Sequence, residues 1–271
     1  MQYRRAATGT RGLRLAPALF LTLSAAAEAG LRADPVRVYL TPDQRHAAVE
    51  VSNDSDRDLT FHVQSLRWTQ LDGSRNDYAE VDESRDGLTY FPQVKTLAAG
   101  ESAIVRVGYA AAWPRSAELS YRLNIGELPN EVAGQSGLRM LIKLSLPLFV
   151  EPLEDTEPKV VVGPIALRQG RLVVPVRNHG PTRLSVGLVN AEVFDRSGQS
   201  LAVNRIAGQY VLPRSEWRFT SPLSDDVRRD AHRVLIALLT HELGDRLQCE
   251  WEVGEPSDCV RRPAGATSSS R

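Results

Sequence analysis

The stretch Leu138-Arg139-Met140-Leu141-Ile142-Lys143-Leu144-Ser145-Leu146-Pro147-Leu148 decides the fold class of this chain. Apolar residues recur at every second position, the spacing that places their side chains on one face of a β-strand. Pro147 cannot donate a ladder hydrogen bond, so the strand is predicted at a sheet edge or near a strand end. Exposed edges with an apolar face recruit other chains. Two interpretations are therefore open: a core-facing strand of an ordinary β-sandwich, or a strand that pairs with another protein.

The first 29 residues have the organisation of a secretory signal peptide. Four arginines precede an apolar run over residues 15–27, and Ala27-Glu28-Ala29 provides the small residues of a cleavage site. Cleavage is expected after Ala29. The apolar run is too short to span a bilayer, and no later segment has the length of a membrane helix. The sequence therefore predicts an exported protein without membrane insertion.

The charge balance argues against nucleic acid as a partner. The chain has 33 basic and 33 acidic residues. Removal of residues 1–29 takes away four arginines and one glutamate, which leaves a net charge near −3. Phosphate binding needs a clustered excess of positive charge, which this composition lacks. The roughly 240 remaining residues are enough for two domains of ordinary size.

The two cysteines, Cys249 and Cys259, lie close together near the end of the chain. In an exported protein such a pair predicts one local disulfide. The loop-entropy model gives a bridge of this length a contribution on the order of 3 kcal/mol. The five histidines are scattered, and none lies at ligand spacing from a cysteine. No metal site and no cofactor are predicted.

Short alternating runs separated by Gly, Asp and Asn turns predict an antiparallel all-β fold. The first set of predicted strands covers residues 36–40, 47–52, 59–68, 102–109, 119–128 and 138–150. Residues 151–158 contain two prolines and four acids, which predicts a linker. The second set covers residues 159–163, 171–177, 186–195, 209–212, 216–220, 232–240 and 246–252. We therefore expect two antiparallel β-sandwich domains, over residues 30–153 and 154–260, and a disordered tail over 261–271.

The sequence carries no motif of a known catalytic site. It has no Gly-x-Ser-x-Gly elbow, no phosphate-binding glycine loop and no His-Glu-x-x-His helix. His62 and His179 fall on or beside predicted strands, where a lone histidine is usually a packed or surface residue. Enzymatic activity is not expected.

Several segments, in their order and spacing, resemble the periplasmic pilus chaperones of the chaperone–usher pathway. These segments are residues 36–40, 49–54, 91–102, 121–129 and 147–152, together with the alternating strand. Leu66-Arg67-Trp68-Thr69-Gln70 and residues 144–150 are similar to the archaic branch, which serves spore-coat-like fimbriae.

The resemblance implies two immunoglobulin-like domains set in an L, with the bound pilus subunit in the cleft between them. The chaperone would lend its alternating strand to an incomplete subunit sandwich and deliver the subunit to an outer-membrane usher. Such strand addition uses main-chain hydrogen bonds for affinity and alternate side chains for specificity. The inserted side chains would be those of Leu138, Met140, Ile142 and Leu144.

The resemblance also implies a basic site for the C-terminal carboxylate of the subunit. Arg37 aligns with one of two basic anchors of the family, and a guanidinium can bind a carboxylate bidentately. The second anchor, a lysine in the family, falls on Pro147, while Lys143 lies on the opposite face from the apolar row. The alternative for Arg37 is an ordinary solvent-facing charge.

The interdomain ion cluster of the family is incomplete in this sequence. Glu118 fits one acidic position, but Glu151 stands where the family usually has a base. The two domains are therefore expected to be held together by a different arrangement.

Three other functions fit the sequence less well. A two-domain adhesive or carbohydrate-binding module would equally explain the sandwiches, the export signal and the disulfide, but not the alternating strand. A pilus subunit would be a single incomplete domain with an N-terminal donor extension, for which residues 30–34 are too short. A small-ligand binding protein has no sequence feature in its favour. Whether the free chaperone caps its own donor strand in a homodimer is left open by the sequence.

Overall fold

The computed structural model describes residues 30–263 apart from residue 72 and the segments 81–86, 130–139, 242–244 and 256–257. This part of the chain is built almost entirely of β-strands, with one short helix. The strands form two β-sandwiches in series, which confirms the predicted all-β fold. The predicted signal peptide, the loop 130–137 and Leu138 lie outside the described residues.

Within the described residues, the first sandwich contains ten strands. They are β1 (Leu31–Asp34), β2 (Val38–Leu40), β3 (His46–Asn53), β4 (Leu59–Leu71), β5 (Arg75–Glu80), β6 (Leu88–Phe91), β7 (Val94–Leu97), β8 (Ser102–Tyr109), β9 (Leu119–Glu127) and β10 (Lys143–Val150). One sheet has the order β1-β3-β8-β6, and the facing sheet has the order β2-β10-β9-β4-β5 with β7 also paired to β4.

Alternation of apolar and polar residues builds the core of this sandwich. On β4, Phe61 and Val63 point inward, and on β9 the residues Tyr121, Leu123 and Ile125 do the same. Successive side chains of a strand point to opposite faces, so one face of each strand is free to line the outside of the sheet. The outer face of β9 and β10 is the one turned toward the second sandwich.

The chain changes sheets between β1 and β2. The predicted single strand over residues 36–40 is therefore observed as β2, which begins at Val38, preceded by β1 in the other sheet. Pro35 lies between them and lacks an N–H for a ladder bond, which fits an interruption at this point. The four residues of β1 are too short for their alternation to be recognised.

The second sandwich contains the other ten strands and the helix. They are β11 (Val160–Val162), β12 (Ala166–Arg168), β13 (Arg171–Asn178), β14 (Leu184–Phe194), β15 (Ser200–Ala207), β16 (Tyr210–Val211), β17 (Ser215–Pro222), α1 (Asp225–Asp230), β18 (Arg233–Thr240), β19 (Asp245–Glu252) and β20 (Asp258–Pro263). Strands β11, β12 and β17 pair with β13 in one sheet, and the other has the order β15-β14-β18-β19-β20 with β16 also paired to β14.

The two sandwiches share a buried asparagine at the end of corresponding strands. Asn53 ends β3, and its amide donates to the carbonyls of Leu97 and Ala98 at 3.3 and 3.0 Å. Asn178 ends β13, and its amide donates to the carbonyls of Thr182 and Val211 at 2.7 and 3.1 Å. These bonds satisfy carbonyls that the sheet ladder leaves unpaired, as buried backbone groups require.

The predicted disulfide is confirmed, whereas the predicted tail begins too early. Cys249 on β19 lies directly opposite Cys259 on β20 and is bonded to it, with 4.0 Å between the Cα atoms. Pairing with β19 extends β20 to Pro263, so residues 261–263 are strand rather than disordered tail. Composition alone predicted disorder there because the stretch is rich in Arg and Pro. Residues 264–271 lie outside the described part of the chain.

Candidate functional site: the open edge of β10

Strand β10 has a partner along its whole length on one side only. It pairs antiparallel with β9 from Lys143 to Val150. On the other side, β2 runs parallel to it and pairs only with residues 148–150. The edge from Lys143 to Pro147 has no strand beside it within the described residues. This confirms the edge position that Pro147 predicted, and it leaves main-chain groups available to a further strand.

The apolar row of β10 passes from core to solvent. Leu148 and Leu146 are buried in the core of the first sandwich. Ile142 and Leu144 are half-buried and pack against the edge of that core, and Met140 is 80% exposed. Regular strand structure begins at Lys143 rather than at residue 138 as predicted, because the ladder with β9 ends there. One further bond, from the N–H of Glu127 to the carbonyl of Ile142, extends the pairing.

An apolar groove lies between the open edge of β10 and the open edge of β1. Its volume is about 370 Å³. It is lined by Leu31, Arg32, Ala33, Val36, Asp54, Leu144, Ser145 and Leu146. The two sheets of the sandwich are therefore not closed over one another on this side, and apolar side chains from both can contact an added chain.

Arg37 lies where the open edge stops. It is the residue before β2 and its side chain is exposed. The pairing of Val38 with Leu148 places Arg37 beside Pro147 when the parallel register is continued by one residue. No described residue forms an ion pair with Arg37. The structure thus brings Arg37 to the end of the β10 edge, whereas Lys143 is exposed at the start of the strand.

Aromatic residues on the outer face of the β10 sheet contact the second sandwich. The rings of Tyr39 and Phe149 stack with centroids 5.9 Å apart. Phe149 also lies 5.3 Å from the ring of Tyr210, which meets Trp68 edge-on at 5.7 Å. Leu212 completes this buried cluster. The side chain of Gln70 fixes its rim, since it donates to the Tyr210 carbonyl at 2.7 Å and accepts from the Leu212 N–H at 2.9 Å.

An ion cluster joins the sandwiches beside this aromatic contact. The guanidinium of Arg183, just before β14, pairs with the buried carboxylate of Glu118 and lies 3.6 Å from that of Glu151. It also lies over the ring of Phe149, 4.2 Å from the centroid. Burial raises the pKa of Glu118 to about 7, although Arg183 acts in the opposite direction. Arg183, in the second sandwich, therefore supplies the positive charge of this ion cluster, which was not found at position 151.

Arg122 is a second basic residue near the β10 edge, and sequence reasoning did not find it. It stands directly opposite Pro147 in the pairing of β9 with β10. Its guanidinium lies over the ring of Trp68, 3.8 Å from the centroid, and donates to the Ser145 carbonyl at 3.2 Å. Burial lowers the pKa of this guanidinium. Residue spacing alone carries no signal for Arg122, because its position opposite Pro147 depends on a strand pairing that spacing does not reveal.

The described residues hold neither a cluster of metal ligands nor a membrane-spanning helix. No group of three or more His, Cys, Asp or Glu side chains there could hold a metal ion. No helix among these residues is long and apolar enough to cross a membrane.

Residues 30–154, which contain the whole of the first sandwich, match the family described as Pili and flagellar-assembly chaperone, PapD N-terminal domain. This part of the chain is similar to the N-terminal domain of pilus chaperones. The open edge of β10, the groove and Arg37 all lie within the matched residues. Comparison with curated protein sequences found no match.

The structure is similar to solved structures of pilus chaperones. One is the CsuC–CsuE chaperone–tip adhesion subunit pre-assembly complex of archaic chaperone–usher Csu pili from Acinetobacter baumannii, at 18% identity and a TM-score of 0.54, covering 86% of this chain and 98% of that one. The YadV chaperone has 14% identity and a TM-score of 0.54, covering 86% and 100%. The Salmonella enterica SafA pilin–SafB chaperone complex has 15% identity and a TM-score of 0.50, covering 88% and 98%. At these identities the likeness shows the fold, and it covers the second sandwich as well as residues 30–154.

Proposed function

We propose that the protein is a periplasmic chaperone that binds, folds and caps pilus subunits by donor-strand complementation. The observation that carries this proposal is the open edge of β10 from Lys143 to Pro147, within a domain that matches the pilus-chaperone family. Unpaired main-chain groups and an adjoining apolar groove are the two requirements for adding a strand from another chain. Proteins that function without such a partner normally protect an exposed strand edge with charged residues, prolines or a covering segment.

The apolar row that precedes and begins β10 supplies the inserted side chains in this proposal. The four positions are Leu138, Met140, Ile142 and Leu144. Their exposure supports the role for three of them, because Met140 is largely exposed and Ile142 and Leu144 are only half-buried. Complete burial of one such side chain contributes roughly 1.5–3 kcal/mol. A subunit groove that covers the row would gain several such contributions.

Arg37 is proposed as an anchor for the C-terminal carboxylate of the bound subunit. Its exposed guanidinium lies at the end of the β10 edge, where the last residue of an added strand would arrive. A guanidinium forms charge-assisted, bidentate bonds with a carboxylate.

The finer features of the proposal follow from the resemblance of the whole sequence to the family. The chaperone serves the archaic branch, passes its subunit to an outer-membrane usher, and enters the periplasm after cleavage of residues 1–29. The two domains comprise residues 30–153 and 154–263, since β20 belongs to the second. Exposed Met140 and Leu141 beside an open edge also favour a homodimer of the free protein in which each copy covers the edge of the other.

Co-expression tests the proposal. The full-length gene would be expressed with the small secreted subunits encoded beside it, and with each subunit alone. We expect a soluble one-to-one complex in the periplasmic extract, and degraded or aggregated subunit without the protein. Subunit that is equally soluble in both cultures would contradict the chaperone function. Retention of the protein on a glycan array would instead favour an adhesive, carbohydrate-binding module.

A further inference from the structure

The far end of strand β4 extends beyond the sheet to which it belongs. It pairs with β9 only from Phe61 to Arg67. From Trp68 to Leu71 its sole ladder partner among the described strands is β5, which runs back beside it as a hairpin. A two-stranded hairpin by itself is marginally stable in water, so this overhanging end requires a further contact.

The second sandwich provides that contact at Gln70. The side-chain amide of Gln70 donates to the Tyr210 carbonyl at 2.7 Å and accepts from the Leu212 N–H at 2.9 Å. The same amide also donates to Oδ1 of Asn76 on β5 at 3.3 Å, and that atom accepts from the Trp68 indole N–H at 2.9 Å. One half-buried side chain therefore bonds the main chain of the second sandwich as a neighbouring strand would, and the hairpin itself holds it in place.

The turn of the hairpin is attached to the other sheet of the second sandwich. The carbonyl of Gly73 accepts from the N–H of Arg218 on β17. Strand β17 pairs with β13, whereas Tyr210 lies on β16, which pairs with β14 in the facing sheet. The hairpin therefore binds both sheets of the second sandwich, and a rotation about one attachment must break the other.

The approach of the turn at Gly73 is too close for a side chain. Gly73 is buried and has a φ of +66°, the left-handed region that favours glycine. A Cβ atom there would lie 2.8 Å from Oε1 of Glu216 and 3.3 Å from Cγ of Arg218. Glu216 is in turn paired with the guanidinium groups of Arg177 and Arg218, which restrain it from moving aside.

The ion pair of Glu118 with Arg183 is a third attachment, on different segments of both sandwiches. Glu118 precedes β9 and Arg183 precedes β14, whereas the hairpin binds β16, β17 and the residue after β16. The aromatic cluster joins the two places, since Arg183 lies over the ring of Phe149, which contacts the ring of Tyr210. Domains joined by a small contact normally move relative to one another, but attachments at several segments restrain that motion.

We infer that Gln70 is a positioning residue which, together with Gly73, fixes the second sandwich at one angle to the β10 edge. This inference rests on the proposed function and deepens it. Strands β10, β9 and β4 are neighbours in a single sheet, so an attachment on β4 sets the second sandwich relative to the edge that would receive a subunit. A subunit that contacts both sandwiches then meets a preformed cleft, and binding does not have to order the two domains.

Two matched pairs of variants test the inference. Gln70→Met keeps the length of the side chain but removes its bonds, and Gln44→Met makes the same change at an exposed position of the first sandwich. Gly73→Ala places a methyl group against Glu216. In Gly198→Ala the backbone has a similar positive φ of +84°, but no atom lies within 4 Å of the added Cβ. The second pair therefore separates the close approach from backbone strain.

Two measurements would be made on the mature protein. Pulsed EPR gives the distribution of distances between the sandwiches, from nitroxide labels at Ala48→Cys on β3 and Val203→Cys on β15, both of which are exposed. Co-expression with a small secreted subunit encoded beside the gene gives the recovery of soluble complex, normalised to the amount of folded chaperone.

We expect a narrow distance distribution in the wild type and in both controls, and a broadened one in Gln70→Met and Gly73→Ala. In these two variants the recovery of complex should fall about tenfold, because only the molecules with the correct angle are competent to bind. Gly198→Ala should also lower the melting temperature, yet keep the narrow distribution and the recovery. A distribution that stays narrow in Gln70→Met and Gly73→Ala overturns the inference.

The remaining outcomes separate this inference from the proposed function. A broadened distribution with undiminished recovery of complex overturns the positioning role and leaves the chaperone function standing. If the wild-type protein itself yields no complex, the chaperone function fails, and the role of Gln70 in subunit capture fails with it.

Discussion

The guanidinium of Arg183 pairs with the carboxylate of Glu118 across the contact between the two sandwiches. Glu118 precedes β9 in the first sandwich, and Arg183 precedes β14 in the second. The main chain is held at the same place, since the N–H of Glu118 donates to the carbonyl of Pro181 at 3.0 Å. The pair is buried, and burial raises the pKa of Glu118 to about 7. Its contribution to stability therefore depends on pH.

The first prediction concerns this pH dependence. The folded pKa of Glu118 lies above the ordinary value of 4.5, so the folded state binds more protons than the unfolded state between these values. The contribution of Glu118 to the free energy of unfolding is then largest below about pH 4.5. It falls by about 1 to 3 kcal/mol as the pH rises toward 7. Urea unfolding at pH 5.5 and pH 8 would measure this change in the free energy of unfolding. Glu118→Gln should remove the part of the pH dependence that comes from this carboxyl group. Glu154→Gln, an exposed residue of the linker, is the control. An unchanged slope in Glu118→Gln would contradict the prediction.

The second prediction concerns Arg183 itself. Replacement by methionine leaves Glu118 without its counter-charge, and removal of one partner of a buried pair costs about 3–5 kcal/mol. The loss in free energy of unfolding should be larger at pH 8 than at pH 5.5, because a neutral carboxyl needs no counter-charge. The matched control is Arg177→Met: the Arg177 side chain is 54% exposed beside Glu216, and its replacement should cost at most about 1 kcal/mol. Equal losses in the two variants would show that Arg183 contributes only as a surface charge.

Much of the fold could be predicted from the sequence because its longer strands alternate regularly. The runs over β3, β4, β8 and β9 have the apolar period of two, which burial against a facing sheet imposes. Short strands at the sheet edges, such as β1 and β7, gave no signal, because three or four residues are too few for a period to be distinguished. Strand β20 was missed for another reason: its pairing with β19 outweighs a composition typical of disorder.

Only the features of the candidate site that lie on a single strand could be predicted from the sequence. The apolar row and Pro147 belong to a single strand, so their spacing predicts an edge directly. Arg122 and Arg183 act through partners that are distant in sequence, since Arg122 reaches the Ser145 carbonyl and Arg183 reaches Glu118. A sequence without its strand pairing does not say which residues lie opposite one another. The sequence therefore predicted that the ion cluster between the sandwiches would differ from that of the family. It did not identify Arg183 as the basic residue of the cluster.

The third prediction concerns the disulfide between Cys249 and Cys259. The protein purified from the periplasm should be lighter by two hydrogen atoms than its reduced form in mass spectrometry. Cys259→Ser should lower the free energy of unfolding by about 3 kcal/mol, because the bridge constrains the unfolded chain. The same variant and the wild type should become equally stable in reducing buffer. Two titratable thiols in the native protein would contradict the prediction.

The fourth prediction concerns Arg37. Arg37→Ala should reduce the yield of subunit complex, because charge-assisted bonds to a partly buried carboxylate are lost, at a cost of roughly 2–5 kcal/mol in binding. The melting temperature of the free protein should hardly change, since the side chain is exposed. Arg37→Lys should also be impaired, because a point charge does not replace the planar guanidinium. An undiminished yield would place the carboxylate elsewhere, and a large drop in melting temperature would indicate a structural arginine.

The last prediction compares two neighbouring residues before β10. Met140 belongs to the alternating row, whereas Leu141 lies between row positions, and both are exposed at 80% and 44%. Met140→Glu should leave the free protein folded but abolish protection of the subunit, because the added carboxylate would be buried in an apolar groove without a partner. Leu141→Glu should protect the subunit as the wild type does, because in a donated strand its side chain would lie on the opposite face from Met140. Recovery of soluble complex, measured after co-expression and normalised to the amount of folded chaperone, distinguishes them. If both variants protect the subunit equally well, the alternating apolar side chains are not inserted into the subunit. If both fail, the exposed segment acts through its overall hydrophobicity and not through one face of a donated strand.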